Sequence, residues 1–275
     1  MSIIAFQITR TRNIPIQTQA KTLDEITREL PQGFYTTFTT LSKGTKVLGL
    51  HMHLQRLYVP AMEQGIDPSV DEPALRKRIA ELAKMKLPKE SRMRLILAKD
   101  NGIIYIVIQS FVPHSKQIYT NGVKVVTAEL TRQAPRVKDT GFISSSISQR
   151  RQVGRDVFEV LLTKDGKILE GMTSNFYAIK EKMLITAQRG ILLGVTRRVI
   201  LRLARGQGMS IRVAYRAPSV NEKFDEAFLT SSSRGVVPII SIDNESVGQG
   251  RVGRFTKQLS AAYDAYVLAK AESIH

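Results

Sequence analysis

The 275-residue chain contains no cysteine and no tryptophan. Without cysteine there can be no disulfide and no thiolate metal site, and no metal is expected. The same absence fits a reducing compartment. Long apolar runs are also missing. The longest near the start, "IIAF" at residues 3–6, is too short for a membrane span or for the core of a secretory signal. The expectation is a cytoplasmic protein with no membrane partner. Negative charge is scarce as well. Asp and Glu number 24 against 41 Lys and Arg, a formal charge of +17. Such an excess can serve nucleic acid or anionic ligands. Here the basic residues are scattered, often on the polar side of helical stretches such as "RRVILRLAR" (197–205). No aromatic-flanked RNA motif, zinc-finger spacing or basic tail accompanies them. The reading is a basic, solvated surface and no nucleic-acid partner.

What is present suits a globular enzyme-sized protein. The hydrophobic fraction is 43%, ordinary for a soluble chain of one or two domains with a sizeable core. Strand-like "SIIAFQI" opens it. "FYTTFTTL" and "KVLGL" around "SKGT" predict a hairpin. Two helices follow. In "HMHLQRLYVPAMEQG" the residues Leu54, Leu57, Tyr58, Ala61 and Met62 share a face, and Pro60 removes the donor to the Arg56 carbonyl. In "EPALRKRIAELAKMK" the stripe is Leu75, Ile79, Leu82 and Ala83. "RMRLILA" and "IIYIVIQSF" flank the turn "KDNG". The polar, turn-rich "VPHSKQIYTNG" predicts a linker. The organisation expected is a smaller α/β domain at 1–115, a linker at 116–122 and a larger domain at 123–275. Strands then dominate: "VKVVTAEL", "VFEVLL", "NFYAI", "MLITA", "SIRVAY", "EAFLTS" and "VPIISI". A helix at 196–206 turns Val199, Ile200, Leu203 and Ala204 inward. A final helix buries Phe255, Leu259, Tyr263, Tyr266 and Val267. The fold class is mixed α/β.

One stretch poses a chemical question. "LEGMTSNFYAI" (169–179) reads as strand, tight turn, strand, with Glu170 heading into the core. A buried carboxylate needs a cation or must be neutral. Four other places could carry chemistry. Gly194-Val195-Thr196 opens an amphipathic helix, and a helix start offers N–H groups and a dipole to phosphate. The serines of "LTSSSRGVVPI" (229–239) can form an anion nest. Arg56 borders an apolar stripe and can reach an anion bidentately. Lys138, in "TRQAPRVKDTGF", is an amine that can form a Schiff base if its pKa is lowered. Taken alone, each has a plain explanation: an N-cap threonine, a polar turn, a snorkelling arginine, a surface lysine.

Their order and combination resemble the class IV aminotransferases, the fold type IV group of pyridoxal-phosphate enzymes. That group includes branched-chain and D-amino-acid aminotransferases and aminodeoxychorismate lyase. The resemblance runs from about Gly33 to the final helix. It implies two domains with pyridoxal 5′-phosphate in the cleft between them, and usually a homodimer. It implies that Lys138 bonds the cofactor and carries the catalytic proton, and that Glu170 faces the pyridine nitrogen, which would make the missing cation a pyridinium. Arg56, Val195, Thr196 and Ser232 would hold the phosphate, and Thr173 and Asn175 would support the ring. Tyr35, Arg94 and Ser233 match substrate-side positions. The implied reaction moves an amino group from an amino acid, of the branched-chain L class, to a 2-oxo acid; the lyase is the alternative. Several family positions differ here. Gly141 stands where Asn is common, Thr36 where Glu is usual and Thr39 where branched-chain enzymes carry Arg. The Arg-x-His carboxylate trap of D-amino-acid enzymes is absent from "AKDNGIIYIVI".

Overall fold

The computed structural model describes residues 3–154, 156–206 and 212–274. Along the chain run β1 (Ile3–Ile8), β2 (Asn13–Ile16), α1 (Leu23–Glu29), β3 (Gly33–Thr39), β4 (Lys46–Val47), α2 (Leu50–Glu63), α3 (Glu72–Lys84), β5 (Ser91–Ala98) and β6 (Ile104–Ser110). Then come α4 (Gln117–Thr120), β7 (Val123–Glu129), α5 (Gly141–Ser145), α6 (Ile147–Arg150), β8 (Glu159–Lys164), β9 (Lys167–Gly171), β10 (Asn175–Lys180) and β11 (Met183–Thr186). The chain ends with α7 (Val195–Arg205), β12 (Arg212–Tyr215), β13 (Glu226–Ser231), β14 (Gly235–Ile242), β15 (Glu245–Ser246), α8 (Arg254–Lys270) and β16 (Glu272–Ser273). Of the expected strands, Ser2, Ser210 and Ile211 lie outside the described residues.

The chain divides into two units. The first comprises Met1–Val112, Val137–Ser145 and Ala269–His275; the second comprises Pro113–Arg136 and Ser146–Leu268. The main boundary, between Val112 and Pro113, lies close to the expected linker at 116–122, and two further segments join the first unit. The stretch holding Lys138 belongs to the first unit because it pairs with the edge of β3. The C-terminal residues belong there because β16 pairs with β4.

The first unit is built on an antiparallel sheet ordered β2-β1-β6-β5-β3. Both faces are covered, which explains why its strands read as unbroken apolar runs rather than alternating ones. Parity assigns each residue. Phe34, Phe38, Met93, Leu95, Ile104 and Ile106 pack with α2 and α3. Tyr35, Ile96, Tyr105 and Val107 pack with α1. The helix starts are capped: Thr22 accepts from the Glu25 N–H and Asp71 from the Ala74 N–H. Each such cap stabilises by about 1 kcal/mol. Two expectations need adjusting. The turn around "SKGT" closes as expected, with Leu41 paired to Lys46, but the long partner of β3 is β5, and "KVLGL" supplies only the short β4 before Leu50 enters α2. Met62 is 65% exposed, because the inward arc of α2 already closes at Ala61.

The second unit carries a larger sheet, ordered β12-β11-β10-β13-β14-β7-β8-β9, with β15 beside β14. Phe176, Ala178, Leu229, Val237 and Leu161 lie in its main apolar core. On α7, Val199, Ile200 and Ala204 are buried as expected, but Leu201 is buried in place of the half-exposed Leu203. On α8, Leu259 and Tyr263 are buried, whereas Phe255, Tyr266 and Val267 are only partly so. Among the described residues, no helix is long and apolar enough to cross a membrane.

Candidate active site

In the first unit the backbone places Lys138. The Tyr35 N–H donates to the Lys138 carbonyl at 2.8 Å, the Thr140 N–H to the Gly33 carbonyl at 2.9 Å, and the Gly33 N–H to Thr140 Oγ1 at 2.9 Å. The lysine is therefore stitched to the start of β3 on both sides. Asp139 stiffens the turn by accepting from the Gly141 N–H at 2.7 Å and pairing with Lys99. Lys138 is half-buried, with Nζ 4.6 Å from the Tyr35 ring centroid. The Arg94 guanidinium lies 5.1 Å from the same centroid. Each cation gains electrostatically from the ring's negative face.

Two more groups act near this amine. His53 precedes Arg56 by three residues on α2, so the two share a face. His53 Nδ1 lies 2.7 Å from Thr36 Oγ1. Burial, then the charges of Arg56 and Lys138, push His53 down to about 3, so it stays neutral. The sequence reading did not name His53; its signal was position, three residues before Arg56 on the apolar arc. Arg94 was expected near substrate. The structure turns it to α1, where it donates to the Leu23 carbonyl, Thr27 Oγ1 and Asp24 Oδ1, and its Nε to Thr37 Oγ1. Parity dictates this, because Arg94 faces the same side as Ile96. An ion pair with Asp24 anchors the guanidinium there, and its face stands over the Tyr35 ring.

In the second unit Glu170 is buried, 2% exposed, at the end of β9. Arg132 Nε donates to its Oε1 at 2.8 Å. The Leu192 N–H and Asn175 Nδ2 donate to Oε2 at 3.1 and 3.3 Å. All three are donors, which suits a carboxylate rather than a carboxylic acid. The buried Glu170 thus already has a cation, and it is Arg132, which the sequence reading overlooked. A pyridinium would be a second one. Arg132 also donates to the Met172 carbonyl at 2.8 Å, so it holds the turn after the acid as well. No periodic signal could have found this pair. It forms only because β7, β8 and β9 are neighbours in the sheet.

Asn175 carries the order onward. Its Nδ2 donates to the Leu192 carbonyl at 2.7 Å, and its Oδ1 accepts from the Gly194 N–H at 3.2 Å. Gly194 is required there, since a Cβ would stand 2.2 Å from Asn175 Oδ1. Val195 and Thr196 then open α7, whose N-cap glycine supplies no side-chain cap. The first-turn N–H groups of such a helix are available to an anion. Buried Thr196 bonds Tyr263 on α8. Arg197 points elsewhere and donates to the Ala187 carbonyl at 2.8 Å and Gln188 Oε1 at 3.0 Å, tying α7 to the end of β11. Thr173 is exposed on the β9–β10 turn, and Ser232 and Ser233 are half-buried on the turn after β13. Direct bonds therefore unite Glu170, Asn175 and the start of α7.

The donor set suits pyridoxal phosphate. In the second unit an uncapped helix start with a neighbouring threonine fits a phosphate and a buried carboxylate fits a pyridine N–H; in the first, by itself, a positioned lysine fits an aldehyde. The comparisons agree. The family described as amino-transferase class IV matches residues 33–242. A D-alanine aminotransferase of Bacillus licheniformis is 27% identical over 235 residues, 80% of this chain and 83% of its own. A Thermotoga maritima protein named as a probable branched-chain-amino-acid aminotransferase is 32% identical over 195 residues, 67% of this chain and 69% of its own. The crystal structure of a branched-chain amino acid aminotransferase from Thermobaculum terrenum, in its PLP form, shares the fold with a TM-score of 0.78 at 19% identity, covering 99% of this chain and 98% of that one. A family match of this extent decides the matter: the chain belongs to the class IV aminotransferases and is a pyridoxal-phosphate-dependent transaminase.

Proposed function

We propose that the enzyme moves an amino group from a branched-chain L-amino acid to a 2-oxo acid, with Lys138 as the catalytic amine. The observation that carries the substrate choice is the β5–β6 hairpin. Neither of its strands carries an Arg-x-His pair to seize a D-amino acid's carboxylate. The 32%-identical relative named for branched-chain substrates supports the same choice.

When bound, pyridoxal phosphate supplies an electron sink for the carbanion formed at the substrate's α-carbon. The protein's share is placement and proton transfer. Lys138 Nζ takes the α-carbon proton, and neutral His53 adds no competing charge beside it. Glu170, fixed by Arg132, Asn175 and the Leu192 N–H, faces the pyridine nitrogen with a carboxylate that cannot turn. Arg56, the Val195 and Thr196 amides, the Thr196 hydroxyl and Ser232 hold the phosphate, and Thr173 and Asn175 support the ring. Tyr35 and Ser233 stand on the substrate side. We assign a cytoplasmic homodimer, on the cysteine-free composition and the family's usual assembly.

A screen of amino donors against 2-oxo acids tests this reading. L-leucine, L-isoleucine or L-valine should outpace D-alanine by tenfold or more, roughly the discrimination a well-shaped pocket gives. Preference for D-alanine would replace the substrate assignment.

A further inference from the structure

Thr173 and the serine turn are joined by a buried acid that the roles above leave unused. Glu159 opens β8 and is 1% exposed. Its Oε2 accepts from Thr173 Oγ1 at 2.7 Å, from Ser174 Oγ at 3.3 Å and from Arg234 Nη2 at 2.9 Å. Arg234 Nη2 also donates to Thr173 Oγ1, and its Nε to Ser231 Oγ at 3.1 Å. The carbonyl of Arg234 accepts from the Tyr119 hydroxyl at 3.0 Å, and its guanidinium lies 5.4 Å from the Phe158 ring centroid. The network is tightly packed. A Cβ on Gly171 would stand 2.2 Å from Ser174 Oγ and 3.2 Å from Glu159 Cγ.

We propose that Glu159 and Arg234 are a positioning pair that locks the Thr173 turn and the serine turn into one rigid ridge, so that Ser232 meets the cofactor phosphate in a single geometry. This rests on the reading that Ser232 is a phosphate ligand. Within each turn the backbone bonds are short-range, Ser174 N–H to the Gly171 carbonyl and Arg234 N–H to the Ser231 carbonyl, so the pair is what links one turn to the other. Three serines followed by Arg234 and Gly235, the latter at φ +62°, make a pliable tip. Thr173 is exposed, and a threonine hydroxyl at a surface turn rotates freely. Here its proton is directed at Glu159 and a lone pair takes Arg234, so the rotor is fixed. Arg234 reaches three oxygens on three segments at once, which suits a planar guanidinium and not an ammonium. A site ordered before its ligand arrives does not bear the cost of ordering during binding.

The test is the dissociation constant of pyridoxal phosphate from the full-length apoprotein, read by absorbance titration beside a urea midpoint for each variant. Arg234→Ala and Glu159→Gln should weaken binding about tenfold, Arg234→Lys less, and Thr173→Val about threefold, the scale expected for lost preorganisation. The double variant Arg234→Ala/Thr173→Val should bind no more weakly than Arg234→Ala, because both changes break one linkage. A merely structural pair would shift the urea midpoint without this non-additivity. Additive effects, or wild-type affinity in Arg234→Ala, overturn the proposal. Should Arg234→Ala fail to fold, Arg234→Lys and Thr173→Val carry the test, and unchanged affinity in both overturns it. A wild type that binds no pyridoxal phosphate overturns the phosphate reading and this proposal together, whereas wild-type binding with unaffected variants overturns this proposal alone.

Discussion

The lysine set of the first unit and the carboxylate set of the second are held by different means. Lys138 is placed by its backbone, through hydrogen bonds to Gly33 and Tyr35, and its amine lies over an aromatic face. Glu170 is placed by its side chain, through Arg132, Asn175 and the Leu192 N–H. The difference suits the roles proposed for each. An amine that carries a proton between atoms needs a fixed root and a movable tip. A carboxylate that balances a ring's charge must not move at all, since preorganised charge is worth most when no reorganisation is required. The surroundings match. Beside the lysine stands a histidine kept neutral. Beside the carboxylate stands the Arg132 guanidinium.

The sharpest way to break this comparison is at its two poles. Lys138→Ala should abolish transamination while the apoprotein nearly keeps its urea midpoint, because the backbone bonds to Gly33 and Tyr35 remain and only the amine's contact with the Tyr35 ring is lost. Turnover near the wild-type rate would remove Lys138 as the catalytic amine. Glu170→Gln should leave a folded protein whose half-reaction with an amino donor slows by orders of magnitude, as expected where an electrostatic contact is worth several kcal/mol. Stopped-flow measurement of that half-reaction at the wild-type rate would separate Glu170 from the pyridine nitrogen.

Next in size is the support beneath the carboxylate. Arg132→Ala leaves Glu170 buried, 2% exposed, without its guanidinium. Breaking one side of a buried pair costs about 3–5 kcal/mol. Chemical denaturation should show that loss in Arg132→Ala, and a much smaller one in Arg132→Met/Glu170→Leu, where the charge is gone as well. Equal losses in both variants would mean that packing, and not charge, dominates there.

The neutral histidine gives a pH signature on the other side of the comparison. His53 is pushed from 6.5 to about 3 in the folded protein, chiefly by burial. A depressed folded value means the stability is fully present above about 6.5 and is lost as pH falls toward 3. Unfolding then takes up one proton, so this group alone should lower stability by about 1.4 kcal/mol per pH unit in that window. His53→Asn, which keeps a polar partner for Thr36, should be less steep than wild type by that slope. Parallel curves for the two proteins would show that His53 is not the group responsible.

These predictions also mark what was legible in the sequence. The strands, the helices and the glycine-threonine start of α7 were readable because each is a local pattern. So was the anomaly of Glu170, since a carboxylate entering an apolar run announces itself. Its partner was not readable. Arg132 meets Glu170 across a strand order, β7-β8-β9, that no spacing encodes. The contacts of Arg94 with α1 were hidden for a subtler reason. Parity along β5 could have put it beside Ile96, but only α1 packed on that face says that the face is covered. The hairpin expected between "FYTTFTTL" and "KVLGL" shrank to the Leu41–Lys46 pair for a related reason. β3 found a longer partner in β5, and a seven-residue ladder outweighs a two-residue one.

The smallest effect tests how finely the second unit is arranged. Tyr263 is 5% exposed on α8, burial raises its hydroxyl above the ordinary tyrosine value, and it bonds Thr196 in the first turn of α7. Tyr263→Phe keeps the ring and removes only that bond. A neutral side-chain hydrogen bond contributes about 0.5–1.5 kcal/mol net. If the tyrosine also orients the Thr196 hydroxyl toward a phosphate, part of that loss should appear in cofactor affinity, a weakening of about threefold to tenfold. If it only braces α8, the urea midpoint of the apoprotein should fall and the affinity should not. The two measurements on one variant therefore decide whether the ordering of the carboxylate side extends past Asn175 into the cradle itself. A fall in stability alone would stop it at Gly194.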